Sequence, residues 1–145
     1  MKIISHRGNL KGPDPLKENS VTAIINALNL NFDVEIDVWY KKNSWYLGHD
    51  KPIHKIDERF LESKKLWCHA KNLEALDLML KNKKIHSFWH QNDDFTITSR
   101  GYIWTYPDKN TTHNSVIVLK NKKDRLPKKC FGICTDFPLL YINEE

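Results

Sequence analysis

The chain has 145 residues, of which 40% are hydrophobic, and this share supports a buried core and excludes a disordered chain. The formal net charge of +5 fits an anionic ligand, but charge alone does not separate a small anion from nucleic acid. No apolar run is long enough to span a membrane, and three cysteines without a CxxC pair argue against a disulfide framework. We therefore expect one cytoplasmic domain over residues 1–145, with no stable membrane anchor.

Short apolar runs bounded by turn residues predict eight strands along the chain. They are residues 1–8, 32–40, 44–50, 64–71, 85–90, 101–107, 115–120 and 130–138. Residues 18–31 and 72–84 carry apolar side chains at helical spacing, with Asn19 or Ser20 and Asn72 as the helix caps.

The order of these elements favours an α/β fold. The early strands alternate with the two predicted helices, which is typical of a parallel sheet. The second helix would bury one face formed by Leu73, Leu76 and Leu80. The connections between the later strands are too short for helices of ordinary length. Either the later crossovers are reduced, or the fold is not fully βα-repeating.

Two carboxylates lie on one side of the second predicted strand. Glu35 and Asp37 are two residues apart, and side chains at this spacing point to the same side of a strand. If that side is buried, the pair needs a positive partner, and oxygen ligands indicate Mg²⁺ or Ca²⁺. If the side faces solvent, the pair needs no partner, and the sequence leaves both interpretations open.

Further polar residues stand at or near the ends of predicted strands. They are His6, Arg7, Glu18, His49, His69 and Lys71. Each of these residue types alone is more often structural or solvated than functional. In a parallel α/β barrel, however, the carboxyl ends of all strands lie on one face, and that face carries the active site.

Four motifs near the start of the chain resemble the signature of the glycerophosphodiester phosphodiesterase family. They are HRG, EN, EIDVW and LGHD, which occur in the family's order and at about its spacing. Later in the chain, WTYPDKN and GICTDFPLLY are similar to the family's Trp-Thr and Thr-Asp-aromatic-Pro segments. The resemblance therefore touches both ends of the chain and is most specific in residues 1–50.

The resemblance implies a fold and a reaction. The fold would be a compact (β/α)8 TIM-type barrel with several outer helices missing or shortened, because such barrels usually have about 250 residues. A homodimer would add buried surface that so short a chain lacks. The reaction would be metal-dependent cleavage of a small phosphodiester of the glycerophosphodiester type, with no nucleic acid as partner.

The resemblance also implies a role for each matched residue. The roles are general acid/base catalysis for His6 and His49, metal binding for Glu35 and Asp37, phosphate binding for Arg7 and Lys71, and shaping of the pocket for Glu18. Two histidines can act as base and acid near neutral pH, and the metal and cations offset charge in the transition state. Trp104 would either line the pocket or belong to the core.

One position departs from the family. Two residues before the strand-end lysine, where the family usually has a third carboxylate ligand, this chain has His69. If His69 is a ligand, the preferred ion shifts from Mg²⁺ or Ca²⁺ toward Mn²⁺ or Zn²⁺. If it is not, water takes the third position.

Other functions remain as alternatives. A catalytically degenerate phosphate-binding module on the same barrel would need Arg7 and Lys71 but not two acid/base histidines. Nucleic-acid binding would fit the basic charge, but the lysine clusters at Lys81–Lys84 and Lys120–Arg125 are not interleaved with aromatic residues, and we interpret them as solvated loops. Within the enzyme class, attack by a substrate hydroxyl would give a cyclic phosphate, as in the similar sphingomyelinase D group.

Overall fold

The computed structural model describes residues 1–142, and in this part of the chain the strands form one curled sheet. The sheet is mixed, has ten strands and curves through about half of a barrel. Three short helices accompany it, and 18% of the chain is helical. None of the described helices combines the length and the apolar character needed to cross a membrane.

Strands and short helices follow one another irregularly along residues 1–142. The strands are β1 (Lys2–His6), β2 (Asp33–Lys41), β3 (Ser44–Leu47), β4 (His54–Ile56), β5 (Leu66–Ala70), β6 (Ser87–Phe88), β7 (Phe95–Ile97), β8 (Ile103–Thr105), β9 (Ser115–Leu119) and β10 (Gly132–Thr135). The helices are α1 (Val21–Asn29), α2 (Glu58–Leu61) and α3 (Leu73–Lys81), followed near the end by a 3₁₀ helix (Pro138–Tyr141). The last three residues of the predicted domain, 143–145, lie outside the described part of the chain.

Seven of the strands run parallel to their neighbours, in the order β6-β5-β2-β1-β10-β9-β8. Their carboxyl ends therefore lie along one edge of the sheet. The other three strands are antiparallel: β3 and β4 form a meander after β2, and β7 pairs with β8. This edge of the parallel strands is where the sequence places its polar residues.

The predicted (β/α)8 TIM-type barrel is wrong. A barrel of that type requires a helix after each strand, and such a crossover takes a dozen or more residues. In this chain, residues 106–114 join β8 to β9 as an irregular loop, and the segment between β6 and β8 contains β7 in place of a helix. Without these helices the sheet stays curled and mixed.

Side-chain caps begin the two longer helices. Ser20 Oγ accepts a hydrogen bond from the backbone N–H of the third residue of α1 at 3.2 Å, and Asn72 Oδ1 does the same for α3 at 3.3 Å. The buried face of α3 differs from the predicted one, because Leu73 and Leu80 are exposed. Ala75 and Met79 are the buried residues of α3, and of the predicted face only Leu76 packs against the core, partly buried.

The concave side of the sheet is filled by aromatic side chains. Trp67, Phe88 and Trp104 belong to one buried cluster, with ring centroids 4.5 Å apart for Phe88 and Trp104 and 6.0 Å apart for Trp67 and Trp104. The convex side buries the aliphatic residues of β2 and β5 under α1 and α3. The aromatic cluster therefore forms an apolar base beneath the polar strand ends.

A buried histidine lies within this aromatic base. His86 is 2% exposed, its Nε2 lies 2.8 Å from Thr98 Oγ1, and its ring centroid lies 4.2 Å from that of Trp67. Burial, aided by the positive charge of Arg100, lowers the pKa of His86 from 6.5 to about 4. The folded protein therefore holds a neutral imidazole where the unfolded chain takes up a proton.

We predict that His86 makes the protein less stable as the pH falls from 6.5 toward 4. The folded pKa is the lower one, so only the unfolded state gains a proton in this range, and the loss reaches at most about 3 kcal/mol. The variant His86→Gln keeps a partner for Thr98 and should remove this part of the pH dependence. Urea unfolding of both proteins at a series of pH values measures it.

The matched control is His113→Gln, which removes a histidine from an exposed loop. The difference in unfolding free energy between this control and wild type should not change with pH. If the stabilities of His86→Gln and wild type ran parallel from neutral pH to pH 4, the neutral buried imidazole would be refuted.

Candidate active site

On three strands in one half of the sheet, the concave-face residues change from apolar to polar toward the carboxyl end. The pairs are Ile4 and His6 at β1, Trp67 and His69 at β5, and Cys134 and Asp136 at β10. On β2, which lies between β1 and β5, Glu35 pairs in register with His6, and Asp37 pairs with His69. Parallel pairing thus brings the polar residues of four strands together above the aromatic base.

Asp37 is at the centre of this group and is fully buried. Asn19 holds it from both sides: Asn19 Nδ2 donates to Asp37 Oδ2 at 2.9 Å, and Asn19 Oδ1 accepts from the Asp37 backbone N–H at 2.9 Å. Burial opposes its ionisation, but close contacts with the imidazoles of His49 and His69 and the charge of Arg7 outweigh it. They hold the pKa of Asp37 well below its usual range, so the carboxylate is ionised.

Arg7 is held between two acidic residues. Its Nη1 donates to Glu18 Oε1 at 3.0 Å, and its Nε lies 3.0 Å from Asp37 Oδ2, an ion-pair distance without hydrogen-bond alignment. Arg7 has a left-handed φ of 56° and is followed by Gly8 at 82°. A Cβ on Gly8 would lie 2.9 Å from the backbone of α1, so the HRG turn needs glycine for the helix to approach.

His6 is paired with a carboxylate on the neighbouring strand end. Its Nδ1 lies 2.8 Å from Asp136 Oδ1, and its Nε2 lies 3.7 Å from Glu35 Oε2. Burial alone would lower the pKa of His6, but Asp136 and Glu35 raise it overall. Asn9 Nδ2 donates to the same Asp136 oxygen at 2.8 Å, and His6 holds the pKa of Asp136 below its usual range against the effect of burial. Asp136 therefore favours the protonated form of His6.

His49 stands on the turn after β3. Its Nδ1 lies 3.3 Å from Asp37 Oδ2, and its Nε2 lies 3.4 Å from Arg7 Nη2. Since a carboxylate only accepts and a guanidinium only donates, these partners assign the proton to Nδ1 and make Nε2 the acceptor for Arg7. Trp39 fixes the turn, because its Nε1 donates to Gly48 O at 2.7 Å.

Glu35, Asp37 and His69 form a cluster with the geometry of a metal site. One ligand atom from each lies within 4.8 Å of the others. The buried oxygens Glu35 Oε2 and Asp37 Oδ1 have no aligned hydrogen-bond donor among the described residues. His69 Nε2 donates to His90 O at 2.8 Å, which directs Nδ1 at the carboxylates. Orphaned oxygens and a carbonyl that accepts from the far side of an imidazole are features of a divalent-cation site.

Without a cation, a proton has to take its place between these carboxylates. Asp37 and Glu35 overcome the effect of burial and raise the pKa of His69 to about 9. The imidazole therefore carries a proton on Nδ1, 3.3 Å from Asp37 Oδ1 and 3.6 Å from Glu35 Oε1. Metal binding at this cluster would displace that proton.

Three other predicted residues take different positions around the cluster. Lys71 Nζ lies 3.8 Å from Asp37 Oδ1, so it shares this carboxylate with Arg7. Glu18 orients Arg7 and accepts from Asn9 Nδ2 at 3.1 Å, and it is outside the three-residue cluster. Trp104 is 4% exposed and lies in the aromatic base, below the polar groups.

Sequence reasoning gave no role to several residues that hold the site. They are Asn9, Asn19, His90 and Asp136. Asp136 carried a usable signal, because it follows β10 as His6 ends β1. Asn19 belongs to the EN motif but is interpreted from the sequence only as a helix cap, and Asn9 carries no signal.

Comparison of this chain with protein-family models, with curated proteins and with solved structures finds no match. The functional argument therefore depends on the geometry of the site.

We predict that Gly48→Ala displaces His49 and destabilises the turn after β3. Gly48 has a φ of 154°, and a Cβ there would lie 2.0 Å from Lys51 O, so the loop has to move. Gly101→Ala is the control, since Gly101 has a φ of 82° and open space around it. Its cost should be limited to backbone strain of about 1 kcal/mol.

Urea unfolding measures the stabilities, and the NMR shift of the His49 imidazole reports its position. Gly48→Ala should lose more stability than Gly101→Ala and shift the His49 signal. Equal losses with an unchanged signal would contradict this account of the turn.

Proposed function

We propose that this chain is a metal-dependent phosphodiesterase that cleaves a small diester of the glycerophosphodiester type. The observation that carries the proposal is a pair of histidines flanking one buried cluster: His6 contacts Glu35, and His49 contacts Asp37. A module that only held phosphate would need the cations but not two histidines beside the cluster.

The cluster and its cations would bind the phosphate. A divalent ion held by Glu35, Asp37 and His69 would act as a Lewis acid on a phosphate oxygen. Arg7 and Lys71, which both lie at Asp37, add two fixed positive charges beside it. Arg7 suits a planar, bidentate grip on two oxygens, and Lys71 acts as a point charge. Together they favour the negative charge that develops on the phosphoryl oxygens.

The hydrogen bonds of the two histidines divide the proton transfers between them. The lone pair of His49 Nε2 accepts from Arg7 in the free site, and once Arg7 binds the phosphate it would accept the proton of the attacking hydroxyl group as general base. Asp136 favours protonated His6, and Nε2 of His6 faces the cluster, so His6 donates the proton to the departing alkoxide. The same division serves attack by water and attack by a hydroxyl group of the substrate.

We predict that the two histidines respond differently to the leaving group. A p-nitrophenolate leaves without a proton, whereas an alkoxide needs one. His6→Ala should therefore lower kcat for an alkyl diester by about 100- to 10,000-fold and have a much smaller effect on a p-nitrophenyl diester. His49→Ala should lower kcat by a similar factor for both, because each reaction needs the base.

The control for this experiment is His113→Ala, which removes a histidine that lines a surface cavity with Lys2 at the opposite end of the strands. All variants should keep the wild-type circular dichroism spectrum and thermal midpoint to within a few degrees. Retained activity in both His6→Ala and His49→Ala would refute the acid/base assignment. No turnover of glycerophosphodiesters by wild type with any divalent metal would favour the phosphate-binding module.

We predict that His69 sets the metal preference. An imidazole ligand suits Mn²⁺ or Zn²⁺ better than Mg²⁺ or Ca²⁺, and carboxylates suit the latter pair. His69→Glu should therefore raise the affinity for Mg²⁺ relative to Zn²⁺ by about tenfold or more. Calorimetric titration of the metal-free protein with each ion measures this without reference to turnover.

The quantity to compare between wild type and His69→Glu is the ratio of the Mg²⁺ affinity to the Zn²⁺ affinity, because Zn²⁺ binds most sites more tightly than Mg²⁺. Glu18→Gln serves as a control for the lost or added charge, since Glu18 is outside the cluster. An unchanged Mg²⁺ to Zn²⁺ ratio in His69→Glu would show that His69 is not a ligand.

A further inference from the structure

A second set of side chains occupies the same edge of the sheet, at the ends of strands that the proposed reaction does not use. They are His90 after β6, Tyr106 after β8 and Lys120 after β9. Each comes two residues after a concave-face residue of the aromatic base, namely Phe88, Trp104 and Val118. We call these three residues the second rim.

The second rim is connected by ring contacts and adjoins the catalytic half of this edge, our name for the proposed active site around Asp37 and its partners. Lys120 Nζ lies 4.9 Å from the centroid of the Tyr106 ring, and the Tyr106 and His90 rings are 5.5 Å apart. Leu119 pairs in register with Thr135, so Lys120 and Asp136 follow adjacent strand ends. Asp136 is the partner of His6, and the rim therefore begins next to the proposed general acid.

The cations of this region have aromatic partners in place of acidic ones. In residues 1–142, Lys120 and Lys122 form no ion pair, and Lys122 Nζ instead lies 5.3 Å above the Phe137 ring. Asp124, the acid of the same loop, accepts from the backbone N–H groups of Lys120 and Asn121 at 2.8 and 2.9 Å. The carboxylate thus orders the turn and leaves the ammonium groups for a ligand.

The positive charge of the chain is concentrated here. Residues 120–129 contain six basic side chains and one acidic side chain, an excess that equals the net charge of +5 for all 145 residues. In the catalytic half, by contrast, each cation is paired with a carboxylate. An anion near this edge is therefore attracted mainly toward the loop after β9.

We infer that the second rim is an anion subsite, and that the preferred substrate is a small phosphodiester whose leaving alcohol carries a second phosphate or carboxylate group. This inference rests on the proposed function, since it names the alcohol side of that reaction. Arg7 and Lys71 hold the scissile phosphate, and Lys120 over Tyr106 binds the second anion next to His6, which protonates the alcohol. A cationic alcohol such as choline would be repelled.

The first experiment compares two diesters that differ only in a phosphate group on the alcohol. Wild type should have the higher kcat/KM for the charged diester. Lys120→Ala should lower the ratio of kcat/KM for the charged diester to kcat/KM for the neutral diester about fivefold. Lys120→Arg should largely restore this ratio, as expected for a partly solvated charge contact. Lys83→Ala removes an exposed lysine after α3 and should leave the ratio unchanged. A wild-type ratio of one, or a ratio that Lys120→Ala does not change, would overturn the inference.

The second experiment is independent of turnover. Alkanediol bisphosphates and monophosphates of increasing chain length are titrated into the metal-loaded protein by calorimetry. If a bisphosphate binds more tightly than the monophosphates and Lys120→Ala loses this advantage, the subsite is supported even if no diester is cleaved. If bisphosphates and monophosphates bind equally tightly, the subsite is overturned even if the phosphodiesterase activity is found. A single-stranded oligonucleotide that binds more tightly than every bisphosphate would overturn it in favour of a nucleic-acid surface.

Discussion

The site depends on two carboxylates that one strand holds inside the protein. Glu35 and Asp37 are 2% and 0% exposed, and both lie on the concave face of β2. Two buried negative charges at this spacing are stable only among positive partners. Arg7, Lys71 and the imidazole of His69 supply these partners, each from a strand end beside β2. The left-handed turn at Arg7 follows from this requirement, because it directs a guanidinium to a carboxylate on the next strand.

Local patterns in the sequence were sufficient for the strands that build the site, and insufficient for the fold. Alternation identified β2 with both carboxylates on one side. Asn72 caps α3 as the sequence indicated, and Ser20, one of the two candidates, caps α1. The closed barrel was wrong because closure depends on crossover helices that the later connections are too short to contain. The polar residues meet nevertheless, since their proximity requires only the parallel register of β5, β2, β1 and β10.

The residues that sequence reasoning missed have partners far away in the chain. Asp136 binds His6 across 130 positions, and no periodicity within a strand can indicate such a pair. His90 contributes through its backbone carbonyl, which is independent of the identity of its side chain. The exposed Leu73 has a similar cause: helical spacing gives the apolar face of α3 only approximately, and contact with the sheet selects Ala75 and Met79. Tertiary contact decides among choices that local pattern leaves equivalent.

The charge balance of the candidate site explains why a second source of attraction would be useful to the proposed reaction. With His6 and His69 protonated, four cations face the four carboxylates of Glu18, Glu35, Asp37 and Asp136. Exchange of the His69 proton for a divalent ion would leave one net positive charge, which equals the single negative charge of a phosphodiester. That balance suits the bound state but produces little field at a distance. The unpaired lysines after β9 extend the field beyond the site, and they would favour those diesters whose alcohol is itself an anion.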